Sequence, residues 1–177
     1  MKAITIISIC CACTSAFAFA QDKPAAATTP AAATAPAAGA SKLGAELKPG
    51  LGLTDGKWGE KTPNTKAEYY IAYYSASWCP PCRNLAPHSV EGYNKHIAGQ
   101  DKVELISISF DQTPQAAKAW AEKEKMPWVI YPRDKAPEFA MKHAPNGIPT
   151  MKLIGPDGKV IAEGRDIAQL MSKVPAK

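Results

Sequence analysis

The stretch Trp78-Cys79-Pro80-Pro81-Cys82 constrains this 177-residue chain more than any other. Two thiols at that spacing can close into a disulfide within one turn. The residues before it, Tyr69-Tyr70-Ile71-Ala72-Tyr73-Tyr74, are aromatic and β-branched and predict a buried strand, and those after it predict a helix. A strand that runs straight into a helix opening at the cysteines puts Cys79 ahead of the first turn. Unpaired backbone N–H groups and the positive end of the helix dipole favour an anion there, by ~0.3–2 kcal/mol. The anion on offer is the Cys79 thiolate, which makes Cys79 the expected nucleophile. Cys82, one turn in, is expected to be shielded and to serve as the resolving thiol.

The N-terminal end indicates the compartment. Lys2 is followed by an uncharged apolar run from Ala3 to Phe19, which closes on Ala18-Phe19-Ala20 before Gln21-Asp22-Lys23. Residues 1–20 have the form of a secretory signal peptide, so the chain is expected to cross the inner membrane into the periplasm or the exterior. The alternative, a retained membrane anchor, fits less well because the run is short for a spanning helix and a small-x-small cleavage site follows it. Cys10, Cys11 and Cys13 lack the preceding triplet of a lipoprotein signal and would leave with the leader.

Five cysteines then become two, Cys79 and Cys82. A lone short loop constrains the unfolded chain little, so a disulfide-stapled scaffold explains the pair poorly. Structural zinc needs about four ligands, and His88, His96 and His143 are scattered, so no metal site and no cofactor are expected.

Residues 21–40 are dominated by Ala, Thr and Pro. Pro24, Pro30 and Pro36 exclude a continuous helix, which predicts a disordered linker whose segment from Pro24 to Ala40 could span up to about 50 Å. Residues 41–177 suffice for one domain and not for two. The formal charge of +5, reduced to +4 without Lys2, comes with no Lys/Arg block. It argues for solubility and against nucleic-acid binding.

The turn signals Asp55-Gly56, Gly59 and Pro63-Asn64 predict a small hairpin or irregular arm over 51–66, with Trp58 covering an edge of the core. The first helix should face inward through Leu85, Val90, Tyr93 and Ile97. Residues 103–110 predict a strand. Thr113-Pro114 predicts a capped helix that runs through Lys123, buries Ala117, Trp120 and Ala121, and is ended by Pro127. Further strands are expected at 128–131, 150–154 and 159–162, a short helix over 136–143, and a terminal helix with the stripe Ile167, Leu170, Met171, Val174. The expected architecture is α/β, a mixed central sheet with helices on both faces.

Ser75-Ala76-Ser77-Trp78-Cys79-Pro80-Pro81-Cys82-Arg83, Lys125-Met126-Pro127-Trp128 and Gly147-Ile148-Pro149-Thr150 together resemble the tryparedoxin and nucleoredoxin branch of the thioredoxin superfamily, over roughly Tyr69 to Gly164. Pro87, five residues after Cys82, matches the proline that kinks the first helix of thioredoxin. The resemblance implies a thioredoxin-like fold, a redox-active Cys79–Cys82 disulfide, a cis proline at Pro149 facing it, and a thiol-disulfide oxidoreductase that exchanges with protein thiols and disulfides. Ile148 before Pro149 is what thioredoxin carries, which favours the reducing side. A membrane or secreted electron donor and a monomeric state are expected. Trp78, Pro80, Pro81, Ile148 and Pro149 are the expected docking surface.

Three positions depart from relatives. The buried Asp of thioredoxin and its Lys partner are replaced by Tyr73 and Ser107, and tyrosine is a poor base at neutral pH. Leu85 stands where many periplasmic reductases of cytochrome maturation carry Glu. His88 is expected to be a solvated helix residue. The second functional reading is a thioredoxin-fold module that binds copper or a partner protein through the cysteines. Copper chaperones of this fold usually pair a wider Cys-x-x-x-Cys with a distant His, which counts against it.

Overall fold

The structure, a computed structural model, describes residues 42–54 and 56–176. The expected signal peptide and linker lie outside these residues, as does Asp55 of the predicted Asp55-Gly56 turn. The chain opens with a 3-10 helix at Lys42–Glu46 and continues through β1 (Gly50–Thr54), β2 (Lys57–Lys61), β3 (Tyr69–Ser75), α1 (Pro80–His96), β4 (Val103–Ser109) and α2 (Pro114–Glu124). It then runs through β5 (Val129–Pro132), a 3-10 turn at Arg133–Lys135, α3 (Glu138–Lys142), β6 (Thr150–Ile154), β7 (Val160–Gly164) and α4 (Ile167–Met171).

These strands form one sheet in the order β2-β1-β5-β4-β3-β6-β7. β3, β4 and β5 are parallel, and the remaining pairings are antiparallel. β3 is buried at all seven positions because strands flank it on both sides and helices cover both faces. Its side chains alternate. Ile71 and Tyr73 join Cys82, Ala86, Ala117, Trp120, Ile167 and Leu170 in a core under α1, α2 and α4. Tyr70, Ala72 and Tyr74 join Leu43, Tyr131, Phe139 and Ala140 in a second core under α3 and the N-terminal 3-10 helix.

The expected mixed sheet with helices on both faces is therefore present, and several details differ from the sequence reading. The 51–66 hairpin is part of the main sheet, joined to β5 through Leu51 opposite Ile130, and Trp58 packs against the first core. α1 turns Cys82, Ala86 and Ser89 inward, with Leu85, Val90 and Tyr93 only half-buried beside them and Ile97 buried at the cap. The small side chains let the helix lie close to the sheet, and no apolar stripe marks them.

α2 begins as expected, with the Thr113 hydroxyl accepting from the Ala116 N–H at 3.2 Å. It ends at Lys125, whose left-handed backbone (φ 54°) lets its N–H reach the Ala121 and Glu122 carbonyls, two residues before Pro127. The β6–β7 turn uses Gly158 at φ 77°, a conformation only glycine adopts freely.

Candidate active site at the ends of the parallel strands

The site lies where the parallel strands end. Ser75, Ser109 and Pro132 are in register across β3, β4 and β5, and the chain leaves each strand into a loop at the same edge. Loops beyond the carboxyl ends of parallel strands are where open α/β sheets hold their ligands.

The first loop carries the cysteines. Cys79 is the N-cap of α1 in an extended conformation, Pro80 and Pro81 fill the first two helical positions, and the Cys79 Sγ accepts from the Cys82 N–H at 3.3 Å. Neither proline has an N–H to leave unpaired. The two sulfurs are joined in a disulfide with the Cα atoms 5.2 Å apart. Cys79 is 3% exposed and Cys82 is 0% exposed. The turn has no acidic residue, so no side-chain carboxylate there competes with a thiolate for the helix end.

Asp111, which no sequence pattern marked, fixes this loop from β4's side. Its Oδ1 accepts from the Ser77 N–H at 3.0 Å and the Ser77 hydroxyl at 2.6 Å, and its Oδ2 accepts from the Ser109 hydroxyl at 2.7 Å. The Phe110 N–H bonds the Ser75 carbonyl, and the Trp78 indole N–H bonds the Phe110 carbonyl at 3.3 Å. The three bonds to the Asp111 carboxylate are charge-assisted, about twice as strong as neutral ones, and fix the loop. The neutral bond to the Phe110 carbonyl holds the Trp78 indole while leaving Trp78 59% exposed.

The Ile148–Pro149 peptide is cis, and the Ile148 carbonyl lies 3.8 Å from the Cys79 Sγ. That carbonyl faces the sulfur, and the Ile148 N–H has no partner among the described residues. The Thr150 hydroxyl bonds the Gly147 carbonyl at 3.0 Å, and Arg165 Nε bonds the Pro149 carbonyl at 3.0 Å. Of the expected docking residues, Trp78, Pro80 and Pro81 are exposed, Ile148 is half-buried and Pro149 is buried.

Behind the disulfide, Tyr73 is fully buried and its hydroxyl makes no well-formed hydrogen bond among the described residues. Burial pushes its phenol up to about 12, against a smaller downward pull from the Ser89 and Ser75 hydroxyls. At neutral pH it is a donor and not a base. Ser107 donates its hydroxyl to the Tyr73 carbonyl at 3.2 Å, so the two replaced positions still touch. Leu85 packs against the core. His88 is exposed on the far side of α1, in a groove of about 580 Å³ that it shares with Lys95 and His96, and His143 Nε2 lies 2.8 Å from the Gly158 carbonyl. Among the described residues no three or more His, Cys, Asp or Glu gather as a metal site.

Comparison with known proteins agrees with this geometry. Residues 67–160, more than half the chain, match the thioredoxin-like family. Nucleoredoxin of Xenopus laevis is 30% identical over 124 residues, 68% of this chain and 30% of the relative. The chain thus spans under a third of that nucleoredoxin. Tryparedoxin of Trypanosoma brucei brucei is 35% identical over 88 residues, 48% of this chain and 59% of the relative. Among solved structures, tryparedoxin I from Leishmania major superimposes with a TM-score of 0.54 at 29% identity, covering 73% of this chain and 88% of its own.

Proposed function

We infer, since the chain belongs to the thioredoxin-like family, that it is a thiol-disulfide oxidoreductase which exchanges the Cys79–Cys82 pair with protein substrates and works on the reducing side. The observation that carries the reading is the asymmetry of the pair. Cys79 Sγ sits on the helix N-terminus as acceptor of the Cys82 N–H, while Cys82 lies within the turn and is sealed from solvent.

In the reduced protein the Cys79 thiolate attacks one sulfur of a client disulfide, forming a mixed disulfide and releasing one client thiolate. Cys82 then attacks the Cys79 sulfur, closing the intramolecular disulfide and releasing the second client thiol. Two electrons pass from the dithiol to the client, and a thiol or dithiol donor must return them. The backbone N–H groups of the first turn stabilise the attacking thiolate. The Ile148 N–H is free to bond a client backbone, and the exposed Trp78, Pro80 and Pro81 form the docking rim, with Pro149 buried. Since Tyr73 keeps its proton, the Cys82 proton leaves through water or a client group. The N-terminal signal supports action in the periplasm or outside the cell, with a membrane or secreted protein as electron donor.

Insulin reduction coupled to a dithiol tests the activity, and mass spectrometry after brief iodoacetamide treatment of the reduced protein tests the roles. Alkylation at Cys79 first, and a stable mixed disulfide on a Cys82→Ser variant, are the expected results. First alkylation at Cys82 would reverse the roles, and absence of insulin reduction by the dithiol form would remove the reading.

A further inference from the structure

We propose that Arg133 selects the clients of this site, favouring disulfides with a carboxylate side chain about three residues from the attacked cysteine; the proposal rests on the exchange reaction inferred above. Arg133 opens the 3-10 turn directly after β5, so it stands at the same sheet edge as the disulfide, two strands away from the Cys79 loop. Its guanidinium lies over the Phe110 ring, 4.8 Å from the centroid. The Phe110 ring also meets Tyr74 edge-on, and the Phe110 carbonyl holds the Trp78 indole. The exposed tryptophan beside the cysteines, the Phe110 ring and the Arg133 cation thus form one continuous rim of the site.

Stacking fixes the plane of a guanidinium and leaves its edge N–H donors directed outward, the arrangement that receives a carboxylate through two parallel bonds. Arg133 is exposed, and among the described residues no carboxylate pairs with it. The nearby Asp111 carboxylate is engaged by Ser77 and Ser109. Asp134 and Lys135, which follow in the turn, offset each other in formal charge. Two strand spacings are about 10 Å, and an extended client covers that in roughly three residues, which sets the position of the favoured carboxylate.

The test uses three short peptides, each oxidised to its symmetric disulfide and carrying Glu, Gln or Lys three residues on either side of the cysteine, with 2-hydroxyethyl disulfide as an uncharged small control. Wild-type protein should reduce the Glu peptide with kcat/KM about fivefold above the Gln peptide at low salt, the scale of an exposed ion pair, and the preference should shrink below about twofold in 0.5 M NaCl. Arg133→Gln should abolish the preference, and Arg133→Glu should transfer it to the Lys peptide. Both variants should reduce 2-hydroxyethyl disulfide as wild type does, which separates lost selectivity from lost folding. Equal wild-type rates on all three peptides, or an unaltered preference in Arg133→Gln, would overturn the assignment. A wild-type protein unable to reduce even 2-hydroxyethyl disulfide would overturn the exchange reaction itself, and the selectivity with it.

Discussion

The two faces of the sheet treat their buried tyrosine hydroxyls in opposite ways. Under α3 and the N-terminal 3-10 helix, Tyr70, Tyr74 and Tyr131 donate to the carbonyls of Asn64, Ala140 and Lys48 at 3.1, 2.6 and 2.5 Å. Each bond ties a strand to a neighbouring segment. Under α1, α2 and α4, the Tyr73 and Ser75 hydroxyls and the Trp120 and Trp128 indole N–H groups are buried without a well-formed hydrogen bond among the described residues. An unpaired buried polar group costs about 1–3 kcal/mol. The first face is built to hold loops. The second, which carries the disulfide, keeps polar groups that add nothing to stability in the bonds they make, so its composition answers to something other than tight closure.

Alkaline titration should give the largest effect and treats both faces alike. Burial raises Tyr70, Tyr73 and Tyr93 to about 12 and Tyr74 and Tyr131 further still. The folded values lie above the unfolded value near ~10, so the stability these protons confer is complete below ~10 and is lost as pH rises through the folded values. Unfolding by circular dichroism should therefore accompany tyrosine ionisation at 295 nm above pH ~10. Gradual ionisation of all five with the far-ultraviolet signal intact would show that the phenols are solvated.

Asp111→Ala comes next, since it would create on the disulfide face the kind of orphan already present at Ser75. Loss of an acceptor for three donors should cost about 2–3 kcal/mol in urea unfolding, and slackening of Ser77 and Trp78 should slow insulin reduction by about tenfold. A loss of stability with the rate unchanged would confine Asp111 to folding.

The smallest effects compare the faces directly. Tyr131→Phe should cost about 1–2 kcal/mol because it strands the Lys48 carbonyl, whereas Tyr73→Phe removes a group that was already unpaired and should leave the urea midpoint within about 0.5 kcal/mol of wild type, or raise it. Equal costs would mean that Tyr73 has a partner after all.

Most of the fold was legible because its signals are local. The Tyr69–Tyr74 run, the Thr113-Pro114 cap and the strand from Thr150 to Ile154 are written in consecutive residues, and the structure has them at or near the expected bounds. On α1, Leu85, Val90, Tyr93 and Ile97 pack against the core as expected, but the more deeply buried Cys82, Ala86 and Ser89 are too small or too polar to register as an apolar stripe. Of the site, the cysteines and the Ile148-Pro149 pair were visible as motifs. Asp111 was not: its partner Ser77 is 34 positions away, and Phe110-Asp111-Gln112 looks like any polar loop. Arg165 bonds a carbonyl 16 positions upstream, across the β6–β7 hairpin, with no pattern to announce it. Contacts between loops that only the sheet brings together leave no periodic trace.

β3 and β6 run in opposite directions, with Tyr74 opposite Thr150 as the terminal rung of their ladder. Pro149 is one residue before that rung and Cys79 is five after it. Because a hydrogen-bonded ladder does not stretch, the gap between the Cys79 sulfur and the Ile148 carbonyl is metered by counting residues from a shared origin. The chain can exchange side chains on either branch and keep that gap, but it cannot gain or lose a single residue there without changing the measure. The two branches are therefore fixed in length where they remain free in composition.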